Sequence, residues 1–304
     1  MICVVGEALV DVFTGPDGTV HESVGGSPLN LAVTLGRLDV PAYLITQLGD
    51  DDHGRHVREH LAASGVELFA APVAQGRTST ASVRLDETGS AAYSFDLAWS
   101  LPGQELPACD VLHVGSLGAV LEPGRESVVD LVEQAWQRGV FVSYDPNVRA
   151  EFLAEPDRAW LDLAALAERA ALVKVSSEDV ALLHPGADPA DIARTLLTGE
   201  RTELVVVTDG AAGSTAYVEE RAVHVPALPV EVVDTVGAGD SFMAGLLTIL
   251  FEDGAVGAHG PGMPHAEEGL DRLLRGAGQV AAITCSRRGA DAPRRTDLPD
   301  GWPG

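Results

Sequence analysis

The sequence predicts an α/β fold: a three-layer α/β/α sandwich with a mostly parallel central sheet and a small β-sheet lid. Short β-branched runs alternate with longer segments of helical period, the rhythm of a parallel sheet covered by helices. One pair of runs breaks that rhythm. Arg77 to Leu85 and Ser90 to Phe95 alternate apolar with polar residues around Asp86-Glu87-Thr88-Gly89, which reads as a hairpin with one exposed face. A hairpin inserted between α/β units has no easy place in their sheet, so it is expected to stand out as a lid.

Taken in order, the expected core strands are Ile2 to Val5, Pro41 to Gln47, Val111 to Val114, Phe141 to Tyr144, Ala171 to Val175 and Leu204 to Thr208. Leu29 to Leu38, Gly54 to Ser64, Glu126 to Arg138 and Ala159 to Arg169 carry the helical period between them. Gly254 to Gly269 holds five glycines and two prolines and predicts a flexible loop between two C-terminal helices. The whole chain, 1–304, reads as one domain with lid segments at about 10–20 and 73–97 inserted in it.

Composition narrows the function classes. The chain has 304 residues, 46% of them hydrophobic, with 20 basic against 45 acidic residues and a formal net charge of −25. That is the content of a compact domain, not of a disordered chain. A polyphosphate duplex calls for a clustered Lys/Arg face, so nucleic acid is not the expected partner. Met1 to Gly6 reads as a first strand without a basic leader, and no stretch reaches 18 uncharged apolar residues; the expectation is a cytoplasmic protein without a membrane span. Cys3, Cys109 and Cys285 lack metal-site spacing and are expected to be reduced core residues. The nine histidines form no ligand pair with carboxylates and read as surface or packing residues.

The chemistry concentrates in Val230 to Asp240, read as a strand followed by a glycine-rich turn, and in the apolar helix from Ser241 to Phe251. Small residues at Gly237, Ala238 and Gly239 leave successive backbone N–H groups open at a helix N-terminus, where the partial positive charge favours an anion. Asp240 sits beside them. A carboxylate there accepts a proton from a hydroxyl attacking a bound phosphoryl group; alternatively, it caps the helix. No Gly-Lys-Ser/Thr follows, and Gly-x-Gly-x-x-Gly is absent after the first strand, which excludes a Walker A loop and a dinucleotide fingerprint.

Asp234 to Asp240 resembles the C-terminal signature of the ribokinase-like, or PfkB, carbohydrate kinases. Gly25-Gly26-Ser27-Pro28-Leu29-Asn30-Leu31-Ala32, with Gly49-Asp50-Asp51-Asp52-His53-Gly54, is similar to the N-terminal signature. Asp145-Pro146-Asn147-Val148-Arg149, Thr208 to Gly213 and Arg287-Arg288-Gly289-Ala290 continue the likeness in family order. It implies a ribokinase-like core and an ATP-dependent phosphotransferase acting on a sugar hydroxyl. Asp240 is then the general base and Gly237, Ala238 and Gly239 the anion hole. Ser176, Thr208, Gly210, Gly213 and Gly239 lie along the nucleotide, and Asp234 helps hold a monovalent cation such as K+ with carbonyls near Thr284 to Gly289.

On the sugar side, Asp11 follows the first strand at the edge where open α/β sheets bind ligands. A carboxylate accepts from two neighbouring hydroxyls, Asn30 both donates and accepts, and Gly25 and Gly26 let backbone approach a ring. The plain readings are a turn aspartate, a polar first-turn residue and a tight turn. Arg149 is a candidate bridge from sugar to phosphoryl group, or a surface arginine after a strand; Arg84 is a candidate contact from the lid, or a charge on its wet face. The resemblance points to a ketohexose acceptor, fructose going to fructose 6-phosphate, with 2-keto-3-deoxygluconate or a nucleoside as the alternatives and a non-catalytic sugar or nucleotide sensor as the alternative of another class.

Two positions depart from the family pattern. Its Asn-x-x-Glu motif, which organises Mg2+, is replaced by Ser176-Ser177-Glu178-Asp179; Asp179 keeps a carboxylate of shorter reach, suited to holding the ion through water, and Ser176 with Asp179 also makes a helix-capping pair. Gly278 stands where related kinases often have Asn near the adenine, which leaves base recognition to backbone and apolar packing. The lid also has an exposed sheet edge, a route to a homodimer.

Overall fold

The computed structural model describes residues 1–304 apart from 16, 75, 86–90, 154, 220, 257–261 and 304, and apart from the side chains of 84, 85 and 91–93. The strand–helix alternation becomes a nine-stranded sheet. Its central parallel part comprises β1 (Ile2–Val5), β4 (Ala42–Leu48), β5 (Glu67–Pro72), β8 (Val111–Gly115), β9 (Phe141–Asp145), β10 (Leu172–Ser176) and β11 (Leu204–Thr208). An antiparallel hairpin, β12 (Ser214–Val218) and β13 (Arg221–Val225), closes one edge, giving the order β13-β12-β11-β10-β9-β8-β1-β4-β5.

Each expected core strand is present to within a residue, because each is a β-branched run buried on both faces. The helices α1 (Ser27–Arg37), α2 (Asp52–Ala63), α3 (Gly124–Arg138) and α4 (Pro156–Ala167) begin two or three residues before their periodic apolar stretches. Their starts are set by first-turn chemistry: Pro28 and Pro156 open α1 and α4, and the Asp51 side chain caps α2.

Two cores result. On one face α1 and α2 pack with α7 (Ala238–Glu252) and α8 (Glu267–Cys285); on the other lie α3, α4, α5 (Ser177–Leu183) and α6 (Pro189–Leu196). The mostly apolar α7 is buried along Asp240 to Leu250, as a helix without a polar face must be. Gly245 makes this possible, since a Cβ there would lie 2.8 Å from the Ala277 Cα of α8. Part of the expected Gly254–Gly269 loop lies outside the described residues, and its last three residues already belong to α8. Among the described residues no helix is long and apolar enough to cross a membrane.

The second sheet holds four strands in the order β3-β2-β6-β7: β2 (Leu9–Thr14), β3 (Val20–Gly25), β6 (Thr80–Leu85) and β7 (Ala91–Asp96). The expected hairpin thus does not stand alone. β6 runs parallel to β2, so two hairpins far apart in sequence share one sheet, while the Asp86–Gly89 turn lies outside the described residues. Its base is tied down by Asp51, whose Oδ1 accepts from the Gly54 amide at 2.9 Å and the Thr78 hydroxyl at 2.7 Å, and whose Oδ2 accepts from the Thr78 amide at 2.9 Å.

The segment Val230–Val233 is not the strand its composition suggests. It has no ladder partner among the described residues, leaves Val232 and Val233 each 59% exposed, and is held by the Val233 amide donating to the Cys285 carbonyl at 2.8 Å. Of the cysteines, Cys3 is core while Cys109 and Cys285 are half-buried, and among the histidines His113 is fully buried against Ser143. Asp51→Ala is expected to lower stability by about 0.5–2 kcal/mol, the worth of a helix cap, in urea unfolding of the purified variant.

Candidate active site

The site forms where the topology reverses. From β1 the chain builds outward to β4 and β5, then returns to place β8 on the other side, which opens a crevice beyond the carboxyl ends of the strands. A cleft of about 1880 Å³ lies there, walled by strand ends, the lid and the N-terminus of α7. Asp11, Asn30, Arg149, Asp179, Thr208 and Asp240 all line it, far apart as they are in sequence.

The turn into α7 depends on Gly237, which adopts φ 75°, ψ 1° in the left-handed region. A Cβ there would fall 2.6 Å from Ala290 Cβ, so glycine is required both for the conformation and for the close packing. Among the described residues the Gly237, Gly239 and Asp240 amides have no backbone acceptor, whereas the Ala238 amide donates to the Thr235 carbonyl at 3.2 Å. The open amides at this helix N-terminus therefore differ by one residue from the expected set: Ala238 supplies a small side chain, not a free donor.

Asp240 does not cap α7; no side-chain cap bond is made there. Its Oδ1 accepts from the Ser27 hydroxyl at 2.6 Å and its Oδ2 from the Asn30 amide at 2.9 Å, both from the start of α1. The carboxylate is 7% exposed yet faces the cleft, so its residual acceptor capacity points at whatever the cleft holds.

At the lid end, Gly25 packs against Asp11, where a Cβ would meet Asp11 Oδ2. Burial raises the Asp11 pKa from its ordinary value, and the Arg149 guanidinium pulls it partly back. Arg84 lies in the β6 backbone opposite Thr14, and its side chain lies outside the described residues. At the other end, Gly210 and Gly213 flank a single helical turn after β11, and Gly278 on α8 faces open space.

The expected ion-binding residues are already bonded. Asp179 forms the capping box with Ser176, its Oδ2 accepting from the Ser176 amide at 2.8 Å, while its Oδ1 accepts from the Val148 amide at 2.7 Å. Direct ligation of a metal by Asp179 competes with both bonds. Asp234 accepts from the Gly289 and Val236 amides at 2.9 and 3.1 Å, which hold its carboxyl below the usual range and tie the α7 turn to the loop after α8. Among the described residues no group of three or more His, Cys, Asp or Glu side chains is disposed to hold a metal.

Sequence reasoning missed three buried charges in the cleft. Glu7, 6% exposed, accepts from the Gly118 amide at 2.8 Å. Asp145, the last residue of β9, and Lys174, in the middle of β10, pair at 2.9 Å with side chains 3% and 4% exposed. Burial pushes Asp145 up to about 6 despite Lys174. Glu7 follows β1 and Asp145 ends β9, positions shared by ordinary turn residues, whereas Lys174 interrupts an otherwise apolar strand.

A cleft whose helix terminus offers amides to an anion, with a carboxylate alongside to take up a hydroxyl proton, suits phosphoryl transfer to an alcohol. Comparison with known proteins puts the chain in that class, the phosphotransferases acting on a sugar hydroxyl. Residues 1–297 match the pfkB family carbohydrate kinase, and the chain belongs to this family. It is 36% identical to a fructokinase of Klebsiella pneumoniae over 98% of this chain and 97% of that protein. A fructokinase of Xylella fastidiosa with bound ATP superposes with a TM-score of 0.80 at 26% identity, over 98% of this chain and 94% of that one. The fructokinase double mutant of Vibrio cholerae bound to fructose, ADP and potassium ion gives 0.76 at 27% identity, over 95% and 93%.

Glu7 yields a pH prediction. Burial, opposed by bonds from Ser116 and Gly118 and reinforced by the Asp240 charge, raises its pKa from 4.5 to about 7. The native state then holds this proton more tightly than the unfolded chain, so the stabilisation is complete below about 4.5 and is lost as pH rises towards about 7. Glu7→Gln is expected to gain on the wild type progressively across that window in chemical denaturation; a constant difference would contradict the assignment.

Proposed function

We propose that this kinase is an ATP-dependent fructokinase, producing fructose 6-phosphate with Asp240 as its general base. The observation that carries this reading is the Asp240 carboxylate, held by Ser27 and Asn30 at the edge of the cleft beside the open amides of α7. Asp11, Asn30, Gly25 and Gly26 orient the sugar from the lid side, with Arg149 at its far end and Arg84 as a further candidate contact from β6. Ser176, Thr208, Gly210 and Gly213 line the nucleotide side, and Gly278 leaves room at the base. The fructokinase relatives, and the ATP and fructose bound to the superposed structures, support the pairing of substrates.

In this reading the sugar's primary hydroxyl oxygen attacks the γ-phosphorus in line. A new P–O bond forms as the bond to the β-phosphate oxygen breaks; the hydroxyl proton passes to Asp240 and ADP leaves. The Gly237 and Gly239 amides receive the charge that develops on the transferring group, and the lid sheet excludes water from it.

Mg2+ fits the donors present. Asp145 Oδ1 is buried in the cleft wall without a hydrogen-bond partner, so Asp145, with Asp179 beside it, would hold the ion through its water shell. Bound there, it supplies positive charge to the phosphates. K+ would sit against carbonyls of the Thr284–Gly289 loop, which Asp234 fastens to the α7 turn. A homodimer through the lid also belongs to this reading: β3 and β7 are its outer strands, and Phe13, Val20 and Phe95 are exposed on it.

Coupled ADP-release assays over ketoses, aldoses, keto-acids and nucleosides test the reading, with fructose expected to give the highest kcat/KM. Asp240→Asn should lower turnover by ~10²–10⁴-fold with its fold intact; a stable variant with normal turnover would remove the base assignment. Asp11→Ala is expected to raise the KM for fructose while leaving the KM for ATP as it was, and an unchanged sugar KM would take Asp11 out of the site.

A further inference from the structure

Nineteen of the 20 cationic side chains of this protein are arginine, and the single lysine is Lys174. It is also a buried cation at the cleft. Its side chain is 4% exposed, it lines the cleft, and its Nζ pairs with Asp145 Oδ2 at 2.9 Å. An ammonium desolvated this far is expensive unless something repays the cost, and replacing such a pair by apolar residues is often neutral or favourable for stability. A structural pair is therefore a weak explanation for it.

Its aim is more informative. A Cβ built on Gly239 would meet one neighbour only, Lys174 Nζ at 3.5 Å. The ammonium thus lies beside Gly239 in the first turn of α7, a residue whose amide has no backbone acceptor among the described residues, and within the field of Asp240. An ammonium and a helix N-terminus converging on one point define a place for an anion with more charge than a lone amide serves. An arginine there would bring a planar fork, longer by its own width, into a gap bounded by Gly239 and Asp145; a compact point charge fits. The surrounding carboxylates, Glu7, Asp145, Asp179 and Asp240, make the same argument from the other side. In a chain of net charge −25, a polyphosphate entering this acidic floor needs a fixed cation at its reacting end.

We infer that Lys174 is a further catalytic residue of this kinase: its ammonium, oriented by Asp145, contacts the γ-phosphoryl group opposite the Gly239 amide and stabilises it during transfer. The inference rests on the proposed function for its substrate. Nothing is exchanged by the lysine, which stays protonated throughout; burial lowers its affinity for the proton, but Asp145, Asp179 and Asp240 outweigh burial and hold its pKa above the ordinary value.

Because the chain has one lysine, enzyme grown with side-chain 15N-labelled lysine carries one ammonium resonance, and the wild type itself can be tested. Addition of AMP-PNP with Mg2+ is expected to displace that resonance well beyond the position produced by ADP with Mg2+. Equal displacement by the two nucleotides, or none by AMP-PNP, would overturn the inference. In parallel, Lys174→Met should weaken AMP-PNP binding by about 10–100-fold, the worth of a hydrogen bond to a charged group, with ADP affinity held within about 2-fold, and Lys174→Arg should lower kcat by ~10²–10³-fold, as loss of a transition-state donor does. Parallel loss of both nucleotides in a folded Lys174→Met would mark a merely structural lysine. The binding contrast needs no turnover, so it is decided separately from the sugar assays: an enzyme inactive on every sugar would sink the fructokinase reading and leave the lysine result standing.

Discussion

The joint between α1 and α7 is the contact on which the site depends. Ser27 and Asn30 reach across from the first helix of the chain to the two oxygens of Asp240 in the second-last, and so fix where a carboxylate stands relative to the amides of its own helix. In the proposed mechanism, removing the joint leaves amides that attract an anion but nothing that holds an acceptor for a proton beside them. The mostly apolar α7 serves this end: buried from Asp240 to Leu250, it cannot slide without opening a core.

Around that joint the fold divides the labour. The parallel sheet supplies a rigid floor, and its strands bring Glu7, Asp145, Lys174 and Thr208 to one crevice. The lid sheet supplies a wall made from two separate hairpins, anchored through Asp51 and Thr78. Asp234 ties the loop after α8 to the α7 turn, so the anion-binding end is braced from behind. Charge follows the same plan. The protein is strongly acidic, yet at the one point where phosphate would react it sets a lone ammonium and a helix terminus.

Much of this was legible in the chain. Core strands declared themselves because a parallel strand is buried on both faces and reads as one apolar run. The turn at Gly237 was legible because a left-handed residue packed close against Ala290 restricts residue types over a few consecutive positions. What failed to show was tertiary. Val230–Val233 has strand composition but no neighbour to pair with; its valines lie exposed on the lip of the cleft. Asp240 looked capable of capping α7 because sequence does not show that Ser27 and Asn30 occupy its oxygens. Ala238 sits in the anion motif, yet its amide turns back to Thr235. Lys174 is a single charge inside an apolar strand, and only the position of Gly239 beside it shows what it faces.

A single cleft that brings a sugar alcohol and a nucleotide's terminal phosphorus together must pass the group directly from one to the other. The stereochemical course of transfer reads this out: ATP made chiral at its γ-phosphorus with oxygen isotopes, turned over with fructose, should yield a sugar phosphate with inverted configuration. Retention would mean two successive transfers through a phosphorylated side chain, and would contradict the account of Asp240 as a base facing both substrates.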